Sequence, residues 1–398
     1  MEQGVQEEPL SLEAESILAE ARQKTGLDDF GDDSFREPME RLLRSLEEEA
    51  ELSATGRAMQ RARVVGLLVN RLRAENHFRR FPEILEEEIL EPLVIVGLAR
   101  TGTTMLHRMI ASDPLVFSLL WWESRNPAPF PQSGQPGEGE GDPRIRDAEA
   151  EVAAMIEGAP DLVAMHPIEA GEPDEEIMLL EHSFFSTNPE AFVNVPTFGA
   201  WLDEQDQTPG YLYLKKLLQF LQWQKKREGS TGQRWVLKTP HHLGFIDLLF
   251  EVFPDARVIQ THRDPLQTIP SLASLIHAIR ILGSDVADPL AAGRQWSDRM
   301  SRALCRCMEV RESHEDHFID VWFADAMQDP LVQMRRIYDF AGMELTPETE
   351  ARMRQWLVEN AREKRVAHSY TLEQFGLTEE GIRRDFAAYR ERFITPER

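Results

Sequence analysis

Leu93-Val94-Ile95-Val96-Gly97-Leu98-Ala99-Arg100-Thr101-Gly102-Thr103-Thr104 is the stretch that decides the fold. It opens on a continuous aliphatic run, the pattern of a strand buried on both faces of a parallel sheet. A Gly/Thr turn follows, and Met105 to Ile110 continues as a helix. A turn between a buried strand and a helix N-terminus is an anion cradle. The glycines permit tight backbone turns, several N–H groups converge, and the helix end carries roughly half a positive charge. Thr103 and Thr104 add hydroxyl donors, and Arg100 supplies a full charge.

The same grammar recurs downstream. Arg234 to Lys238 reads as a strand followed by a helix over His242–Phe253, and Ala256 to Thr261 as a strand followed by a helix over Leu266–Leu282. Phe318 to Phe323 is a fourth strand, with a helix from Pro330 to Ala341. Strands alternating with helices imply an α/β fold: a P-loop-like doubly wound parallel sheet flanked by helices. Upstream, residues 1–90 carry three apolar stripes at helical spacing, so a helical N-terminal extension precedes an α/β domain over 91–398. Within that domain, the Pro/Gly-rich stretch 127–143 reads as a flexible loop and 144–230 as a helical insertion.

Composition narrows the function classes. The 398 residues hold 44 basic and 69 acidic side chains, a net charge of -25, which argues against a general nucleic-acid binder. A chain this acidic must gather its cations locally to hold an anion. No run approaches the roughly 20 apolar residues of a membrane helix, and the acidic start MEQGVQEEPL lacks the pattern of a secretory signal. A cytoplasmic protein is expected. Cys305 and Cys307 lie one residue apart in a helical stretch, so they point to opposite sides and neither pair nor share a metal.

The turn matches the nucleotide-binding spacing GxxxxGK[ST] except that Thr103 stands where the lysine belongs. ATP chemistry needs that lysine on the terminal phosphates. Arg100-Thr101-Gly102-Thr103-Thr104 instead resembles the 5'-phosphosulfate loop of the sulfotransferase family. Arg263-Asp264-Pro265 with Ser271 is similar to that family's 3'-phosphate site, and Val236-Leu237-Lys238-Thr239-Pro240-His241-His242 carries a lysine where many members have one. The resemblance covers about residues 92–342 and is nearest to a bacterial branch with helical N-terminal extensions.

The resemblance implies a sulfuryl transfer from PAPS (3'-phosphoadenosine 5'-phosphosulfate) to a hydroxyl or amine, leaving the bisphosphate PAP, with no metal required. Arg100, Thr101, Gly102, Thr103 and Thr104 would hold the phosphosulfate, and Arg263 and Ser271 the 3'-phosphate. Lys238 would donate to the leaving oxygen. Two features depart from the small-molecule branch: Met105 replaces the aromatic that stacks on adenine, and a C-terminal Arg-Lys-Gly clamp is not evident, leaving Lys364-Arg365 as a possible substitute.

Three residues are candidates for the general base. Glu123 is flanked by Trp121 and Trp122, which would desolvate it; His241 lies three residues after Lys238; His166 belongs to the acceptor-side insertion. In the small-molecule branch that this chain resembles in part, the catalytic histidine comes two residues after the lysine, and that position is Pro240 here. Phe184, Phe185, Phe192, Phe198 and Trp201 line an apolar acceptor pocket or belong to the core. The acceptor is a small molecule, a lipid or a sugar, and a homo-oligomer is compatible with the sequence. Two other readings stand beside this one: an ATP-dependent phosphotransferase, and a non-catalytic module that binds adenosine bisphosphate.

Overall fold

The computed structural model describes residues 10–130, 141–159, 168–360 and 371–395. Three helices come first: α1 (Ala14–Thr25), α2 (Arg36–Glu48) and α3 (Ala54–Arg80). Gly26 ends α1 with φ +67°, its N–H returning to the Arg22 carbonyl, and the Ser53 hydroxyl caps α3 by accepting from the Gly56 N–H. Their apolar stripes (Ile17 and Leu18; Met39, Leu42 and Leu46; Val64, Val65 and Leu68) close on one cluster that also contains Phe184, Phe185 and Phe198. Phe192 and Trp201 pack against its edge. These aromatics are therefore core beneath the N-terminal helices, which settles the alternative the sequence left open.

The α/β part begins with β1 (Leu93–Gly97) and α4 (Thr103–Ala111), then β2 (Val116–Ser118), α5 (Trp121–Arg125) and α6 (Pro143–Gly158). Several short helices lead to α7 (Thr208–Arg227) and β3 (Arg234–Lys238). After β4 (Arg257–His262) come α8 (Pro265–Arg280), α9 (Pro289–Arg311) and β5 (Phe318–Trp322). The chain ends with α10 (Pro330–Phe340), α11 (Pro347–Glu359) and α12 (Ala387–Phe393).

All strand pairs are parallel, in the order β2-β3-β1-β4-β5. β1 is the middle strand and is buried at all five residues. The period of two divides it: Leu93 and Ile95 face a cluster with Leu106 of α4 and Met334 of α10. Val94 and Val96 face the opposite cluster, with Leu214 of α7, Ile269 of α8 and Leu304 of α9. Burial on both faces is why the run is continuously aliphatic.

Two elements differ from the sequence reading. The expected helix over His242–Phe253 is broken into a 3₁₀ turn at Pro240–Gly244 and a helix at Ile246–Val252. Thr239 caps the turn through the His241 N–H, and Phe245, with ψ 31° and φ -138°, interrupts the helical path. The edge strand β2, three residues long, is too short to show a periodicity in sequence. Cys305 is exposed and Cys307 buried, as their spacing on α9 requires. Among the described residues no helix is long and apolar enough to cross a membrane.

Candidate active site

Arg100 to Thr104, Lys238, His241 and Arg263 stand at the carboxyl edge of the sheet, where β1, β3 and β4 end. Gly97 leaves β1 with φ +155°, and a Cβ there would lie 2.0 Å from the Thr261 hydroxyl oxygen. Only glycine allows that approach. The Thr101 hydroxyl donates to the Leu98 carbonyl at 2.6 Å and meets the Thr261 hydroxyl at 2.6 Å. This buried pair ties the loop to β4, so the Thr101 hydroxyl is spent on the loop itself. Gly102, φ +89°, starts α4, whose first intrahelical bond comes from the Met105 N–H. The N–H groups of Thr103 and Thr104 precede it and have no carbonyl of their own helix to reach.

Arg100 has a left-handed backbone, φ +71°, uncommon for a residue with a side chain. Its carbonyl accepts from Arg263 at 2.7 Å, a contact spanning 163 residues of sequence. Arg263 also donates to Gln267 at 2.9 Å and lies over the Phe323 ring at 4.0 Å. The loop after β1 and the turn after β4 are thus in direct contact. Asp264 caps α8 through the Leu266 N–H and pairs with Arg390 of α12. Ser271, half-buried, stands further along α8.

Lys238 ends β3, the neighbour of β1, with its side chain only 4% exposed. Its ammonium is held by the carboxylate of Glu175, and its N–H donates to Glu176 at 2.8 Å. Its charge reaches α4: burial first and Lys238 next hold the His107 pKa well below the usual histidine value. His241 follows in the 3₁₀ turn, buried, with Nδ1 2.9 Å from the Thr187 hydroxyl and its ring stacked on Phe245 at 4.6 Å. Burial, then His242 and Arg299, push its pKa well below the ordinary value, so the ring is neutral near pH 7.

Glu123 is placed differently. One oxygen accepts from the Leu120 N–H at 2.8 Å, capping α5, and the other pairs with Lys225 of α7 at 2.5 Å. The tryptophans beside it do bury it, to 3% exposure, but the cation on it is Lys225 and the carboxylate on Lys238 is Glu175. His166, Lys364 and Arg365 lie outside the described residues. A cavity of about 390 Å³ lies elsewhere, between α1 and α3, lined by Arg61, Val65, Val69 and Asn70.

Sequence reasoning passed over Glu175 and Glu176. The signal available was an acidic run, Asp174-Glu175-Glu176, directly before the apolar Ile177-Met178-Leu179-Leu180. Backbone pairing sets its position: the Trp121 N–H donates to the Glu172 carbonyl at 2.9 Å, and the Asp174 N–H to the Leu119 carbonyl at 2.8 Å.

A cradle of backbone N–H groups, two arginines beside it and a lysine–glutamate pair on the next strand define an enzyme that transfers a group from an anionic donor. The sulfotransferase family model matches residues 92–347, and the chain belongs to that family. It is 29% identical over 298 residues to the omega-hydroxy-beta-dihydromenaquinone-9 sulfotransferase Stf3 of Mycobacterium bovis, covering 73% of this chain and 72% of that protein. The fold matches the crystal structure of sulfotransferase STF1 from Mycobacterium tuberculosis H37Rv with a TM-score of 0.83 at 32% identity, over 96% of this chain and 100% of that one. It matches sulfotransferase STF9 from Mycobacterium avium with a TM-score of 0.87 at 29% identity, over 98% and 99%. The protein is a sulfotransferase.

Proposed function

We propose that the donor is PAPS, that the acceptor is a hydroxyl on a lipid-like molecule, and that transfer is an in-line displacement at sulfur. The observation that carries the mechanism is the contact between the Lys238 ammonium and the Glu175 carboxylate, on the strand beside the phosphate loop. The donor set suits a bisphosphate nucleotide. Arg100, the loop N–H groups and the threonines Thr103 and Thr104 would hold the phosphosulfate, with Arg263 and Ser271 on the 3'-phosphate.

In the reaction a bond forms from the acceptor oxygen to sulfur while the bond from sulfur to the bridging oxygen breaks. Lys238 donates to that bridging oxygen as it gains charge. Glu175, 21% exposed, takes the hydroxyl proton; an ionised carboxylate is acceptor-only and suited to that task. Products are the sulfate ester and PAP. Glu123 is the weaker base because both its oxygens are already engaged, and His241, neutral and on the turn after Lys238, is the next candidate. The lipid-like acceptor rests on the Stf3 relative, whose name specifies an omega-hydroxylated dihydromenaquinone.

The test is incubation with PAPS and a panel of ω-hydroxylated isoprenoids, simple alcohols, phenols and sugars, read by mass spectrometry for an added SO₃. Sulfation of the long-chain alcohols above the sugars is expected. Sulfation confined to sugars overturns the acceptor class, and binding of PAP with no transfer to any member favours the non-catalytic reading.

A further inference from the structure

Lys238 is gripped by two consecutive glutamates, and they do different things. Glu175 holds the ammonium, where the chemistry is. Glu176 holds the main chain and is completely buried. β2 stops opposite Val236, so the Lys238 N–H lies past the last strand partner on that side. Glu176 Oε2 takes the place of the missing strand and accepts that N–H at 2.8 Å.

The other oxygen of Glu176 leads inward. Oε1 lies 2.9 Å from Nε2 of His242, whose Nδ1 lies 2.7 Å from the hydroxyl of Tyr211 on α7. His242 and Tyr211 are fully buried. Burial, and then the charge of Glu176, hold the Tyr211 phenol well above its usual pKa, so it keeps its proton. The direction of the chain follows from the groups themselves. A carboxylate oxygen accepts, so the tautomer that fits has Nε2–H donating to Glu176, and its bare Nδ1 accepts from the phenol. Two donors, the Lys238 N–H and the His242 Nε2–H, end on one carboxylate, and Tyr211 extends the second arm through His242.

We propose that Glu176, His242 and Tyr211 are positioning residues for Lys238: a buried hydrogen-bonded relay that fixes the end of β3 and so the reach of the ammonium toward the leaving oxygen. None of the three touches the reacting atoms. The relay rests on the role given to Lys238 above. It anchors the strand end to α7, an element of the opposite layer, where a strand partner would otherwise do so.

The experiment compares Tyr211→Phe, Glu176→Gln and Glu176→Ala with Lys238→Ala, measuring kcat, donor KM and PAP affinity by calorimetry on the full chain. Tyr211→Phe keeps the ring and removes only the outermost donor, so kcat is expected to fall about 5- to 10-fold with donor KM and PAP affinity within about twofold. Glu176→Ala orphans two buried donors, and kcat is expected to fall at least about 100-fold. Glu176→Gln can accept from Lys238 and donate to the other tautomer of His242, whose Nδ1–H then donates to the Tyr211 oxygen, so it should recover at least about tenfold over Ala. If Glu176→Ala does not fold, Tyr211→Phe alone decides. Wild-type kcat in Tyr211→Phe overturns the relay, as do equal losses in kcat and PAP affinity, which a general loosening of the fold would give. If Lys238→Ala is inactive while these variants are normal, only the relay fails. If Lys238→Ala is fully active, the reading of Lys238 fails first.

Discussion

The two sides of the active-site edge are built from different materials. On the proposed donor side, between β1 and β4, the site is mostly main chain: a glycine against Thr261, two joined hydroxyls, a left-handed Arg100 and the start of α4. On the proposed acceptor side, beside β3, it is side chains, with Lys238, Glu176 and His241 buried and Glu175 half-buried. A main-chain cradle binds a rigid, multiply charged nucleotide by shape and many small contacts. Buried side chains respond to the charge and protons that move during reaction. Damage to the donor side should therefore weaken binding, and damage to the acceptor side should slow turnover.

The sharpest test is Lys238→Ala, expected to lower kcat by about 10³-fold while PAP affinity changes little, the scale of removing one preorganised donor from a developing oxyanion. Calorimetry beside single-turnover kinetics checks it, and parallel losses in both would erase the division. Glu175→Gln should cost about 10²-fold in turnover on an alcohol and less on a phenol, whose proton leaves more readily. Equal losses on the two acceptors would take the proton-accepting role from Glu175.

Across the edge, Arg263→Ala should weaken PAP by about 2 to 3 kcal/mol, with AMP nearly unaffected because it lacks the 3'-phosphate. Titrating both nucleotides against wild type and variant reads this directly.

A further effect concerns the stability of the fold rather than either side of the site. Burial lowers the pKa of His182 to about 4, so the folded protein keeps this ring neutral where the unfolded chain protonates it. Above pH 6.5 both states are neutral and the group contributes nothing to pH dependence. Below it, stability falls by about 1.4 kcal/mol per pH unit for this one histidine until about pH 4. His182→Gln should flatten urea-unfolding stability across that window by this amount. Least of all, Thr101→Val removes one hydroxyl of the buried pair with Thr261 and should cost about 1 kcal/mol of stability, seen in the urea midpoint.

This division also explains what the sequence disclosed. The donor side is local: a strand, a glycine turn and a helix start are contiguous residues whose conformational needs restrict which amino acids can stand there. The Arg263 turn is similarly self-contained. Glu175 and Glu176 had no such mark. In a chain with 69 acidic residues, an Asp-Glu-Glu run reads as a solvated surface. Only the pairing of residues 172–174 with 119–122, which has no periodic signature, carries it into the site. Glu123 shows the converse. Its tryptophan neighbours correctly foretold burial, but its partner Lys225 lies 102 residues further along the chain, and no spacing rule connects them. The aromatic set from Phe184 to Trp201 remained ambiguous because an apolar pocket and an apolar core have the same composition.

The place of β1 at the centre of the sheet has a consequence for how the protein is made. β1 pairs with β3 and β4, and the Thr101–Thr261 contact alone spans 160 residues. On the ribosome, the middle strand therefore emerges long before either partner exists. At roughly 5 to 20 residues per second, it waits on the order of ten seconds with both edges open. An aliphatic ribbon with unpaired edges invites pairing with other chains. The N-terminal helices can gather during that interval, but the sheet and the phosphate loop must form late and together. Refolding yield should consequently fall as protein concentration rises, and slowing translation before residue 234 should prolong the vulnerable period, whereas a pause after residue 262 should not.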